Sequence, residues 1–166
     1  EYGLEINNNV DERNNIKLST QVACQYLLKA KEKFGSWTLA AASYNAGMGR
    51  ISSELERQSV SDYYDLLLGE ETGRYLVRMI ALKEIMLHPK KYGFNFNEKD
   101  LYTYAPTIEI EIDTAVADFV QFSKDFGINY KQLKLHNPWL REKFLNNKTR
   151  KKYTIELPDP EYYKQK

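Results

Sequence analysis

The sequence predicts a mainly α-helical chain, α+β overall, in which a helical lobe is followed by a small βααβ module. Three observations carry this reading. Apolar residues recur at helical spacing over residues 20–34 and 70–87. Residues 107–112 and 152–157 instead alternate apolar and polar, the period of a half-buried strand. Between the two patterns the composition changes after Lys91, and residues 92–106 follow neither period.

Taken in order, residues 1–18 are polar and rich in Asn, and they read as an ordered loop. Ser19 or Thr20 is then expected to cap a helix running to Phe34, with Val22, Ala23, Tyr26, Leu27, Ala30 and Phe34 on one face and Gly35 as its end. A second helix is expected from Ser36 or Trp37 to Tyr44. Its run of small residues lets another backbone come close, and Asn45-Ala46-Gly47 supplies residues that accept the left-handed conformation beyond a helix end. Ile51, Leu55 and Gln58 fit a short third helix opened by Gly49-Arg50. From Glu70, the apolar positions Tyr75, Leu76, Met79, Ile80, Leu82, Ile85 and Met86 predict a long, largely buried helix that stops before His88-Pro89. After the first strand, Asp113 is expected to cap a helix containing Val116, Phe119, Val120 and Phe126, which Gly127 ends. A short helix over 130–135 follows, and the second strand ends at Pro158. The expected division is 1–93, a linker at 94–106, a module at 107–158 and a tail at 159–166.

Composition narrows the function. The chain of 166 residues carries 24 Lys and Arg against 23 Asp and Glu, a net charge of +1. That argues against a protein whose task is to coat nucleic acid, which needs a concentrated basic excess. From Asn129 onward ten basic residues face four acidic ones, a local surplus that fits either a solvated surface or an anionic partner. A lone Cys24 excludes an intramolecular disulfide, and no apolar run approaches the ~20 residues of a membrane span. The chain starts at Glu1 with neither an initiator Met nor a signal peptide, so the interior of a longer precursor is expected.

No Gly-rich phosphate loop and no Cys/His cluster with ligand spacing is present, so neither a cofactor nor a metal is expected. His88 reads as a helix C-terminal residue favourable to the dipole, and His136 as a loop residue beside Trp139. The informative segment is Ala42-Ser43-Tyr44-Asn45-Ala46-Gly47-Met48-Gly49-Arg50. On physical grounds Tyr44 and Asn45 serve either as packing and capping at a helix end or as part of a narrow floor on which a sugar ring lies against backbone.

This segment does not stand alone. Tyr2-Gly3-Leu4 with Val10-Asp11-Glu12-Arg13 precedes it, then Ser19-Thr20 and Phe34-Gly35-Ser36-Trp37; Glu70-Glu71-Thr72-Gly73-Arg74-Tyr75-Leu76-Val77 follows. In this order the pieces resemble the lytic transglycosylases of the membrane-bound D type, a lysozyme-like family that cleaves peptidoglycan. The resemblance covers roughly residues 1–93 and implies a lysozyme-like helical lobe. It also implies non-hydrolytic cleavage of the bond between N-acetylmuramic acid and N-acetylglucosamine, closing a 1,6-anhydro ring. One glutamic acid of raised pKa serves as acid and then as base in such a reaction. The resemblance puts that residue upstream of residue 1, so no catalytic residue is expected in this chain, which alone is expected to be inactive. Tyr44, Asn45, Gly47 and Tyr75 carry over as glycan-binding residues, and Glu71 as a supporting one. The bacterial envelope is the implied location, in the periplasm or on an outer-membrane lipoprotein. Glycan strands are the implied partner, with an envelope protein as a second.

The last module resembles a divergent lysin-motif (LysM) unit, through Asp113-Thr114, Gly127-Ile128, Leu133, Asn137 and Tyr153-Thr154-Ile155-Glu156-Leu157-Pro158. Ile112 stands where the motif has a Gly, and Asn147-Lys148-Thr149-Arg150 replaces its usual last turn. Glycan binding and service as a packing appendage both fit. For the whole chain the alternatives to an enzyme are a catalytically silent peptidoglycan-binding or scaffold subunit and, third, a helical adaptor.

Overall fold

A computed structural model describes residues 2–164; Glu1 and the last two residues of the expected tail lie outside the described residues. The chain divides into two compact units, one of residues 1–20 with 102–166 and one of residues 21–101.

The first unit is built on two strands, β1 (Thr107–Ile112) and β2 (Tyr153–Pro158). They pair antiparallel with Thr107 opposite Pro158 and Ile112 opposite Tyr153. Between them lie α5 (Phe119–Asp125) and α6 (Tyr130–His136), and Phe119, Leu133, Leu140, Leu145 and Ile155 are fully buried beneath the sheet. Local chemistry explains the helix ends. The Asp118 carboxylate accepts from the Val120 N–H at 2.9 Å, so α5 begins there and not at Asp113. Val116, expected inside that helix, is instead extended and bridges Leu145. Asn129 and Gln132 form a reciprocal capping box at the start of α6. His136 closes α6 and is not a loop residue. The expected tail forms α7 (Pro160–Lys164).

The N-terminal segment belongs to this unit. Val10 is buried in its core and bridges Leu140, while the Asp11 and Arg141 N–H groups donate to Trp139 and Asn9 carbonyls, each at 2.8 Å. A charged knot secures it. Lys151 reaches Glu5 at 2.6 Å and Glu12 at 2.9 Å, and the Tyr153 hydroxyl donates to Glu5 at 2.9 Å. Burial pushes the Glu5 carboxyl up, but the Lys151 and Tyr153 bonds outweigh it and leave it below the usual carboxylate range. In the basic stretch, Lys151, Lys152 and Lys164 pair with Glu5, Glu111 and Glu161, and Lys134 donates to the Leu140 carbonyl.

The second unit holds most of α1 (Ile16–Phe34), then α2 (Trp37–Ala46), α3 (Met48–Gln58) and α4 (Glu70–Leu87). Ser19 and Thr20 do not cap α1: the Asn15 side chain accepts from the Leu18 N–H at 3.1 Å, starting the helix earlier. Ser36 caps α2 through Leu39, and Gly35, at φ 70°, ends α1 in the left-handed region. Gly47 lets α3 follow α2 directly, three residues before Ile51. Leu39, Ala42, Ile51, Tyr63, Leu66 and Leu76 form the core. The Tyr63 hydroxyl donates to the Gly73 carbonyl at 2.9 Å, and burial raises its pKa. His88 caps the C-terminal end of α4.

The expectation of a largely buried α4 is overturned. Only Thr72 and Leu76 are buried; Ile80 is 56% and Met86 79% exposed, along with Val77, Leu82 and Leu87. Of its large apolar residues only Leu76 is fully buried; Tyr75 and Ile85 are half-buried and most of the others meet solvent.

Candidate functional site

The segment singled out in the sequence forms the end of α2 and its junction with α3. Ser43 is fully buried and its hydroxyl donates to the Ala40 carbonyl at 2.8 Å. Its own carbonyl accepts from the Gly47 N–H at 2.7 Å and from the Tyr26 hydroxyl of α1 at 2.6 Å. The last turn of a helix leaves carbonyls without intrahelical partners, and Tyr26 satisfies one of them. The same tyrosine meets Tyr44 edge to face, with ring centroids 5.6 Å apart. Tyr44 is thereby braced on one side yet 47% exposed.

Asn45 is oriented from both ends. Its Nδ2 donates to Glu71 Oε1 at 3.1 Å, and its Oδ1 accepts from the buried Thr72 hydroxyl at 2.7 Å. Both partners stand in the first turn of α4, so two helices fix one amide plane. A side chain held this way presents its remaining hydrogen-bonding capacity in one direction, which is what recognition of a polar ligand needs.

Gly47, at φ 89° and ψ 142°, occupies a conformation that other residues adopt only with strain. Nothing lies within 4 Å of where a Cβ would be. The constraint is therefore the backbone angle and not crowding. Tyr75 lies one helical turn beyond Glu71 on α4 and is half-buried. The structure thus joins Tyr44, Asn45 and Gly47 at one helix junction and ties Asn45 to Glu71, with Tyr75 one turn farther along α4. Sequence reading missed Thr72 as a partner of Asn45 and Tyr26 as a brace. Thr72 sits inside the Glu70–Val77 piece, a usable signal; Tyr26 looked like an ordinary apolar-face residue.

Ion pairs and hydrogen bonds hold four described carboxyl groups in their charged form. Glu5, Asp11, Glu54 and Glu84, the described carboxyl groups whose pKa is displaced, are all displaced downward. Asp11 is held down by the Arg13 guanidinium, and Glu54 by Arg57. These are acceptors at neutral pH and cannot protonate a leaving group. Among the described residues, no group of three metal-ligating side chains converges.

Comparison with known proteins finds a match for each of two regions of the chain. Residues 1–66 match the transglycosylase SLT domain, and residues 108–161 match the soluble lytic transglycosylase C-terminal LysM-like domain. Both matched regions are thus similar to parts of lytic transglycosylases. It is similar to the membrane-bound lytic murein transglycosylase D of Escherichia coli strain K12, at 28% identity over 141 residues, 82% of this chain and 30% of that protein. The same protein of Escherichia coli O6:H1 gives the same figures. The chain thus spans about a third of the length of the curated relatives it matches. The mainly α architecture with its small βααβ module is consistent with both matched domains. The SLT match runs across the division between the two compact units, since residues 2–20 fold with the LysM-like module. Among the described residues no helix is long and apolar enough to cross a membrane.

Proposed function

We propose that this chain is part of a peptidoglycan lytic transglycosylase of the bacterial envelope, in the periplasm or on an outer-membrane lipoprotein. Tyr44, Asn45, Gly47 and Tyr75 contact the glycan, and the glutamic acid that serves as general acid and base lies outside these 166 residues. The observation that carries the reading is the Asn45 amide fixed between Glu71 and Thr72 beside a braced, exposed Tyr44. A merely packing or capping pair would not require an amide clamped at both ends. In this reading residues 1–93 contribute to the transglycosylase domain, 94–106 link, and 107–158 form a glycan-binding module, although residues 2–20 pack on that module. The charge balance fits, because a neutral sugar polymer is held by hydrogen bonds and aromatic faces.

The test is incubation of this chain, and of a longer protein containing it, with purified sacculi, followed by assay for 1,6-anhydromuropeptides. The longer protein yields anhydro ends and the chain alone does not; product from the chain alone refutes a general acid elsewhere. In the longer protein Asn45→Ala lowers turnover by on the order of tenfold or more, the scale of one lost positioned polar contact of about 1–3 kcal/mol. The second reading, a silent peptidoglycan-binding or scaffold subunit, predicts sacculus retention by the longer protein without anhydro ends.

A further inference from the structure

The first unit contains a cavity of about 560 Å³, inside the roughly 300–1,000 Å³ range of small-ligand sites. It lies between the start of α1, residues 103–105 ahead of β1, the end of α6, and α7. The LysM-like match covers residues 108–161. Lys17, Thr103, Tyr104, Tyr162 and Tyr163, which line the cavity, all fall outside it. The space is therefore no groove of the βααβ unit by itself. The flanking segments create it by folding over the module.

Those flanks are fastened by specific bonds. The Asp159 N–H donates to the Pro106 carbonyl at 2.8 Å, and the Tyr162 hydroxyl donates to the Thr103 carbonyl at 3.1 Å. Tyr163 and His136 share a hydrogen bond of 2.8 Å between hydroxyl and Nε2. Three tyrosines thus border a floor that includes Ile16, Leu135 and Pro138. Tyr104 is 77% exposed, with a ring free to meet a ligand.

The charges select the ligand class. Lys17 pairs with Glu156 at 2.8 Å and also with Glu109, so the single cation in the lining is already neutralised. An anionic ligand would meet an ammonium already shared by two carboxylates, one of which, Glu156, itself lines the cavity. An aliphatic chain would strip water from the Lys17–Glu156 pair and from the Tyr162 and Thr103 hydroxyls and offer their remaining hydrogen-bonding capacity nothing in return. A pyranose ring meets both demands: its C–H face lies on aromatic carbon and its hydroxyl edge meets carboxylate, ammonium and hydroxyl.

We propose that this cavity is a binding site for a neutral pyranose unit of a glycan strand, built by Tyr104, Tyr162 and Tyr163 over the module. The inference rests on the glycan-binding reading of the module and assigns that binding to a place outside the matched domain.

The experiment is titration of the whole 166-residue chain with tetra-N-acetylchitotetraose, followed by amide ¹H–¹⁵N shifts and by Trp139 fluorescence in a Trp37→Phe background. Saturable shifts are expected at residues 103–105, 136–139 and 162–163, and Tyr104→Ala, at an exposed position, weakens the response at least tenfold with the spectrum otherwise unchanged. Absence of saturation up to about 10 mM sugar overturns both the cavity and the module's glycan binding. Saturable shifts confined to other residues and indifferent to Tyr104→Ala overturn the cavity alone. Failure of the cleavage reading registers separately, as missing anhydro ends from sacculi.

Discussion

The two units bury their apolar surface in different ways. In the first, Phe119, Leu133, Leu140, Leu145 and Ile155 close a core of large side chains, and Trp139 stacks on Tyr153 with centroids 5.7 Å apart. In the second, α2 packs through Leu39 and consecutive alanines, while the long α4 fully buries only Leu76 among its large apolar residues and turns most of the others to solvent. An all-round apolar helix is normally a buried one. The contrast teaches that such a pattern records what a helix can cover and not that anything covers it.

The sharpest way to break this comparison is to empty the closed core. Phe119→Ala should cost about 3–5 kcal/mol, read as a shift of the Trp139 fluorescence transition to lower urea in the Trp37→Phe background. A shift worth under about 1 kcal/mol would mean the first unit is not the tightly packed one. A graded loss should follow from Tyr153. Burial and then its bond to Glu5 push its phenol from the ordinary 10.0 up to about 12. A group raised on folding stabilises below its unfolded pKa, so the first unit should lose stability as pH climbs from 10 through 12. Tyr153→Phe should flatten that slope in urea melts collected across the range; an unchanged slope would remove Tyr153 from the account. The smallest effect belongs to the open face of α4. Met86→Lys should change stability by no more than about 0.5 kcal/mol in urea melts. A large destabilisation would mean that Met86 is packed after all.

Much of the fold was legible where the governing contacts are local. Gly35, the Ser36 cap, the alternation of β1 and the stop of α4 before Pro89 each depend on residues within about four positions. The misplaced starts of α1 and α5 have the same origin: several Asn, Ser and Asp residues are chemically able to cap, and Asn15 and Asp118 make the bonds. In the candidate site, Tyr44, Asn45 and Gly47 could be found from helix-end chemistry. The clamp on Asn45 could not, because Glu71 and Thr72 stand 26 and 27 residues away.

By itself the sequence determined the presence of α1 to α6, the two strands, the small-residue packing of α2 and the glycine turn at 47, since capping, periodicity and positive φ act over a turn or a strand. Only the tertiary structure decided that the N-terminal segment folds with the last module, and that flanking tyrosines roof a cavity there. Glu5 meets Lys151 and Tyr153 across 146 and 148 residues. Pairs at that separation are chosen by which closed chain buries most surface while satisfying its charges, and no short-range pattern records that choice.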